Sequence, residues 1–196
     1  MSGAGNQIVK PQNCSLAIGI PTCEQEFRRR LELGNPHFSV LFHGGWPRYQ
    51  QEVLEPFHEL EQFVSELGVN VVRDVGLVDF GTTVSASGNV LTILVSHWDE
   101  DKHQVEMRDG MVEIQSMVDQ LPNPFEGILD CCICLPQPLV QCIRVERPTA
   151  LVFFSETRRT PLLWFKYYGD LFWYLQHYDA DYLTATKEVM GAWVST

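Results

Sequence analysis

The 196-residue sequence predicts an α/β sandwich: a mostly parallel central sheet flanked by helices, with a small antiparallel hairpin beside it. Three observations carry this. Short Val-, Ile- and Leu-rich runs bounded by polar turn residues recur at 69–72, 90–96, 127–132 and 149–155, the pattern of strands buried on both faces. Segments of helical periodicity alternate with them, as in layered α/β proteins. Residues 104–114 instead alternate apolar and polar about Asp109-Gly110, a strong local hairpin signal.

In chain order, residues 1–37 are punctuated by Gly3, Gly5, Pro11, Gly19, Pro21, Gly34 and Pro36. They read as an N-terminal extension with a frayed start and a short peripheral helix over 24–33. Arg28, Arg29 and Arg30 read as a solvated face of that helix. The domain proper is expected over 38–196. It opens with a strand at 38–43, followed by Gly44 and Gly45, where the backbone can turn tightly. Residues 50–67 place Val53, Phe57, Leu60, Val64 and Leu67 at helical spacing, with Gly68 at the C-terminal cap. With the strand at 69–72 this makes one right-handed strand–helix–strand unit. Residues 75–80 are open between strand and loop, and 81–88 read as a connection.

The strand at 90–96 ends in His97-Trp98, and the hairpin follows. Helical turns at 116–121 stop at Pro122 and Pro124. The strand at 127–132 delivers Asp130-Cys131-Cys132-Ile133-Cys134. A helix over 138–145, a strand over 149–155 and two amphipathic helices, 161–176 and 181–193, complete the chain.

The formal charge of −11, from 14 Lys+Arg against 25 Asp+Glu, argues against a broad nucleic-acid surface. No apolar run reaches the roughly 18 to 20 residues that span a bilayer, and residues 1–7 lack a signal-peptide pattern. The chain therefore reads as cytoplasmic, without a membrane partner. Its six cysteines, three crowded into 131–134, read as reduced thiols in a chain apolar enough to fold without staples. His37, His43, His58, His103 and His177 lack the paired spacing of a zinc site, so neither metal nor cofactor is expected.

A histidine and a cysteine delivered by successive buried strands stand where open α/β sheets place their crevice. Alone, each is a commonplace core residue. Together, His97 and Cys132, with Cys134 as alternative nucleophile, form a candidate Cys–His pair. Cys131 to Cys134 is also formally a Cys-x-x-Cys pair, which raises a thiol oxidoreductase as a second class.

The ordered series Ile93-Leu94-Val95-Ser96-His97, Arg108-Asp109-Gly110, Leu129-Asp130-Cys131-Cys132, Ala150 to Ser155 and Phe165 to Leu171 resembles the CHAT branch of the caspase-like (clan CD) cysteine peptidases. The match covers residues 38–194. Asp130 and Cys131 stand where the family has Ser and Ala before the nucleophile, and Trp98 stands where it often has a small residue. The resemblance implies a caspase-like three-layer sandwich, with the hairpin following the catalytic-histidine strand. It implies an endopeptidase with a His97–Cys132 dyad and no cofactor, acting on a protein substrate. A regulatory or sensor protein subunit would control it, in the manner of effectors of bacterial antiviral defence or cell death. Backbone N–H groups of Gly44, Gly45 and Cys132 are the oxyanion candidates. Asp99 is a candidate to orient the imidazole, beside the plainer reading of 99–101 as a solvated acidic run. The S1 pocket would follow the strand at 149–155, where Glu156 would favour a basic P1 residue and Arg158 or Arg159 an acidic one. A catalytically inactive binding subunit, held through the aromatic-rich helix after residue 160, is the alternative within the same fold.

Overall fold

The computed structural model describes residues 7–33, 45–156 and 160–194. Five parallel strands form the central sheet: β1 (Cys14–Ile18), β2 (Asn70–Val72), β3 (Leu91–Val95), β7 (Ile128–Cys134) and β8 (Leu151–Ser155). Their spatial order is β2-β1-β3-β7-β8. A separate antiparallel sheet, β4 (Trp98–Asp99), β5 (Gln104–Met107) and β6 (Gly110–Glu113), follows directly on β3. The fold class predicted from the sequence is the one observed.

Period-two alternation along the strands sorts their side chains into two layers. Leu16, Ile18, Leu91, Ile93, Val95, Ile128 and Cys132 join one core cluster; Ala17, Leu94, Leu129, Cys131, Ile133 and Val152 join the other. Helices α1 (Glu24–Glu32), α2 (Gly45–Tyr49), the π-helical turn Gln50–Leu54, α3 (Glu55–Glu66), α7 (Pro161–His177) and α8 (Tyr182–Val194) supply the first layer. The second is covered by α4 (Leu77–Val84), α5 (Ile114–Asp119), α6 (Gln137–Glu146) and the small sheet.

Several expectations are revised. The 1–37 segment is not peripheral, for its residues 14–18 form β1, fully buried between β2 and β3. Small side chains at Cys14, Ser15 and Ala17 suit a strand covered on both faces, and they mute its hydrophobic signal. The predicted strand at 38–43 lies outside the described residues. The undecided stretch at 75–80 contains the start of α4, which continues through much of the predicted connection, because Val75, Phe80 and Val84 pack beneath the sheet. In the hairpin, Met107 pairs with Gly110, so Arg108 and Asp109 form the two-residue loop.

The chain passes from β1 to β2 on one side, then crosses back to β3 on the other and continues outward. The order therefore reverses between β1 and β3. In open α/β sheets the ligand crevice lies at the carboxyl ends of the strands at such a switch point.

Candidate active site at the carboxyl ends of β3 and β7

Strand β7 runs two residues further than the sequence predicts, to Cys134. Its register against β3 pairs Val95 with Cys132, and the Ser96 N–H still donates to the Cys132 carbonyl at 3.4 Å. Cys132 is thus an interior rung of the ladder. Continued two places along each chain, the same register leads to His97 on one side and Cys134 on the other. His97 follows the end of β3, and Cys134 closes β7 past an irregularity in its ladder with β8.

Burial separates the two cysteines. Cys132 is 5 % exposed and lies in the core with Ile128 and Tyr168. Burial, and then the Asp130 carboxylate, push its thiol well above the ordinary range. A thiol held protonated in this way is a poor nucleophile. Cys134 is half-buried at the strand end and lies opposite Ser155 across an irregularity in the β7–β8 ladder. Leu135, the next residue, has φ 56°, a left-handed conformation rare for a branched side chain. It turns the chain sharply into α6, which begins at Gln137. Cys132, the nucleophile expected from the sequence, is buried within the strand because β7 runs on past it to Cys134, the alternative.

Of the Cys-x-x-Cys pair, Cys131 is buried within β7 and Cys134 is half-buried at its end, with an irregularity in the β7–β8 ladder between them. All six cysteines are free thiols.

The backbone around His97 is fixed by a network the sequence reading missed. The Glu106 N–H donates to the His97 carbonyl at 2.9 Å, and the Gly19 N–H to the Val95 carbonyl at 2.8 Å. The Ser96 hydroxyl donates to the Glu106 carbonyl. From α1, Arg30 Nη1 donates to the Gly19 carbonyl at 2.9 Å and to Glu106 Oε1 at 3.1 Å. Arg30 and Glu106 are each 1 % exposed. A Cβ on Gly19 would stand 3.0 Å from both the Glu106 carbonyl and Ser96 Oγ, so a side chain there would crowd this close approach. The arginine triplet is accordingly not one solvated face. Arg28 is exposed and pairs with Glu24, Arg29 pairs with Glu26, and Arg30 turns inward. The available signal was its position three residues after Phe27, on the helix's buried side.

Asp99 is buried rather than solvated, and its Oδ1 accepts the Asp101 and Lys102 N–H groups at 3.0 Å each. This carboxylate shapes the β4–β5 turn. Trp98 packs into the second layer and stacks on His103. Gly45 opens α2 with φ 65° and open space where a Cβ would stand. Glu156 is exposed directly after β8. Gly44, Arg158 and Arg159 lie outside the described residues.

Beneath the site, Asp130 projects from β7 into the first layer, 5 % exposed, and accepts a hydrogen bond from the Tyr182 hydroxyl of α8. Burial raises its carboxyl to about 6, against the opposing influence of the Tyr182 hydrogen bond.

Compared with known proteins, the chain matches no family model and no curated sequence.

Proposed function

We propose that this chain is a cysteine peptidase of the caspase-like type, with His97 as base and Cys134 as nucleophile. The observation that carries the reading is the β3–β7 register, which leads to His97 and Cys134 beside the switch point of the sheet. His97 takes the proton from Cys134 Sγ, and the thiolate attacks the carbonyl carbon of a peptide bond. His97 then returns the proton to the departing amine, leaving a thioester. Water, deprotonated by His97, hydrolyses it and regenerates the thiol. The Gly45 N–H is the described candidate for the oxyanion. Glu156 is the described S1 candidate and favours Lys or Arg at P1. The substrate class is a protein, and a regulatory or sensor subunit governs access.

Labelling with acyloxymethyl ketone peptides carrying Arg or Asp at P1, followed by mass-spectrometric mapping, tests this. The expected adduct is on Cys134, stronger with Arg at P1, lost in Cys134→Ala and His97→Ala and retained in Cys132→Ala. Labelling on Cys132 would return the nucleophile to the interior rung. Reaction no faster than that of a free thiol at any cysteine would leave the chain a caspase-like binding subunit.

A further inference from the structure

The outer seam between α3 and α7 holds an open groove of about 480 Å³. Leu60, Phe63, Leu162, Phe165 and Trp173 give it an apolar lining, and Leu162 and Trp173 are 59 % and 49 % exposed. Gly169 lies in the middle of α7 and lines the same groove. Glycine inside a helix costs about 1 kcal/mol relative to alanine, yet the fold makes no demand for it here. A Cβ at Gly169 would meet only Leu60 Cδ1, at 4.0 Å. What the missing side chain does is keep the groove open.

The two rims differ in charge. On α7, Asp170 accepts the Trp193 indole N–H at 2.8 Å, and the Lys166 ammonium lies 5.9 Å from the Trp193 ring centre. Both residues also line the groove, a cation and an anion that offset one another on this rim. On α3, Glu55, Glu59 and Glu66 are exposed along one stripe at helical spacing. None of the three makes an ion pair among the described residues. The result is an apolar trough with one acidic bank.

We propose that this groove docks an amphipathic helix of a partner protein, its apolar stripe set in the trough and its Lys or Arg flank against Glu55, Glu59 and Glu66. Helix-in-groove recognition needs such a trough, with anchors at i, i+3, i+4 and i+7. The charge selects the occupant. A second copy of this chain, at −11, and an anionic lipid surface would both be repelled by the acidic bank. The site is built from helices of the outer layer and stands independently of the chemistry of His97 and Cys134.

A synthetic helix of Leu, Ala and Lys with Leu at i, i+3, i+4 and i+7 is the probe, titrated into the full chain by calorimetry and tryptophan fluorescence. Its controls are a scrambled peptide of the same composition and a version with Glu for Lys. The expected result is saturable binding of the Lys helix with a changed Trp173 signal, and none of the Glu helix. Gly169→Leu, which fills the trough, should weaken binding at least tenfold, and Glu55→Gln with Glu59→Gln several-fold. Leu162→Ser, at an exposed position, gives a second test of the trough should Gly169→Leu disturb the helix. Equal binding of the scrambled peptide, or binding untouched by both Gly169→Leu and Leu162→Ser, would overturn the proposal and leave only attraction to an acidic surface.

Discussion

Asp130 shows how far surroundings can move a single side chain. Buried beside Tyr182 and Tyr168, its carboxyl is raised from 3.8 to about 6. Between those values the native state therefore holds a proton the unfolded chain has lost, and the free energy of unfolding falls as pH rises. The effect is absent below about pH 4 and complete above about pH 6, and the shift corresponds to about 3 kcal/mol. Asp130→Asn keeps an acceptor for the Tyr182 hydroxyl and removes the titration. In urea denaturation the variant should gain up to about 3 kcal/mol over wild type near pH 7.5 and nothing near pH 3.5. The same difference at both pH values would mean that Asp130 ionises as readily folded as unfolded. None of this was legible in the sequence, where Asp130 appears only as a departure from a motif. His97 and the cysteine cluster were legible, because apolar runs point to strand ends. Which cysteine stands at the end was not, since a run of Cys and Ile reads equally well as a strand two residues shorter.

Among the elements, α3 and α7 carry glycines that act in opposite senses. Helix α3 ends in a paired-bond cap: the Val69 N–H donates to the Val64 carbonyl and the Gly68 N–H to the Ser65 carbonyl, both at 3.0 Å. Closing that cap puts Gly68 at φ 86°, where an L side chain costs roughly 1–2 kcal/mol. A Cβ there would also come within 3.2 Å of Gln12 Cγ. Gly68→Ala should therefore destabilise the protein by about 1–2 kcal/mol, while Gly169→Ala, in a helix interior with room to spare, should stabilise it by up to about 1 kcal/mol. Thermal denaturation of the two variants gives the signs, and a common sign would refute one of the two local accounts. This cap was readable because a glycine after a periodic helix has a single steric meaning. Strand β1 was not readable, because Cys14, Ser15 and Ala17 lack the bulk of a typical buried strand and Gly19 and Pro21 follow at once. The small residues that let β1 sit inside the sheet are those that make it resemble a loop.

At the scale of the molecule, strand order depends on crossovers whose helices leave no local signature of which strand they return to. That is why β1's place between β2 and β3 was hidden while the alternation of strands and helices was plain. The completed sheet does, however, dictate where each thiol lies. Cys14, Cys131 and Cys132 are buried within strands, and burial raises all three thiols. Cys23 is exposed, and Cys134 and Cys142 are half-buried. An aromatic disulfide reagent at mildly alkaline pH should accordingly titrate three thiols rapidly in the native protein. The other three should react only at the rate of global opening, and all six at once in concentrated urea. Cys134→Ala should remove one thiol from the rapid class and Cys132→Ala none. Rapid loss of Cys132 in the native protein would mean that β7 frays back to its fifth residue, and the assignment of Cys134 as the terminal thiol would fail with it.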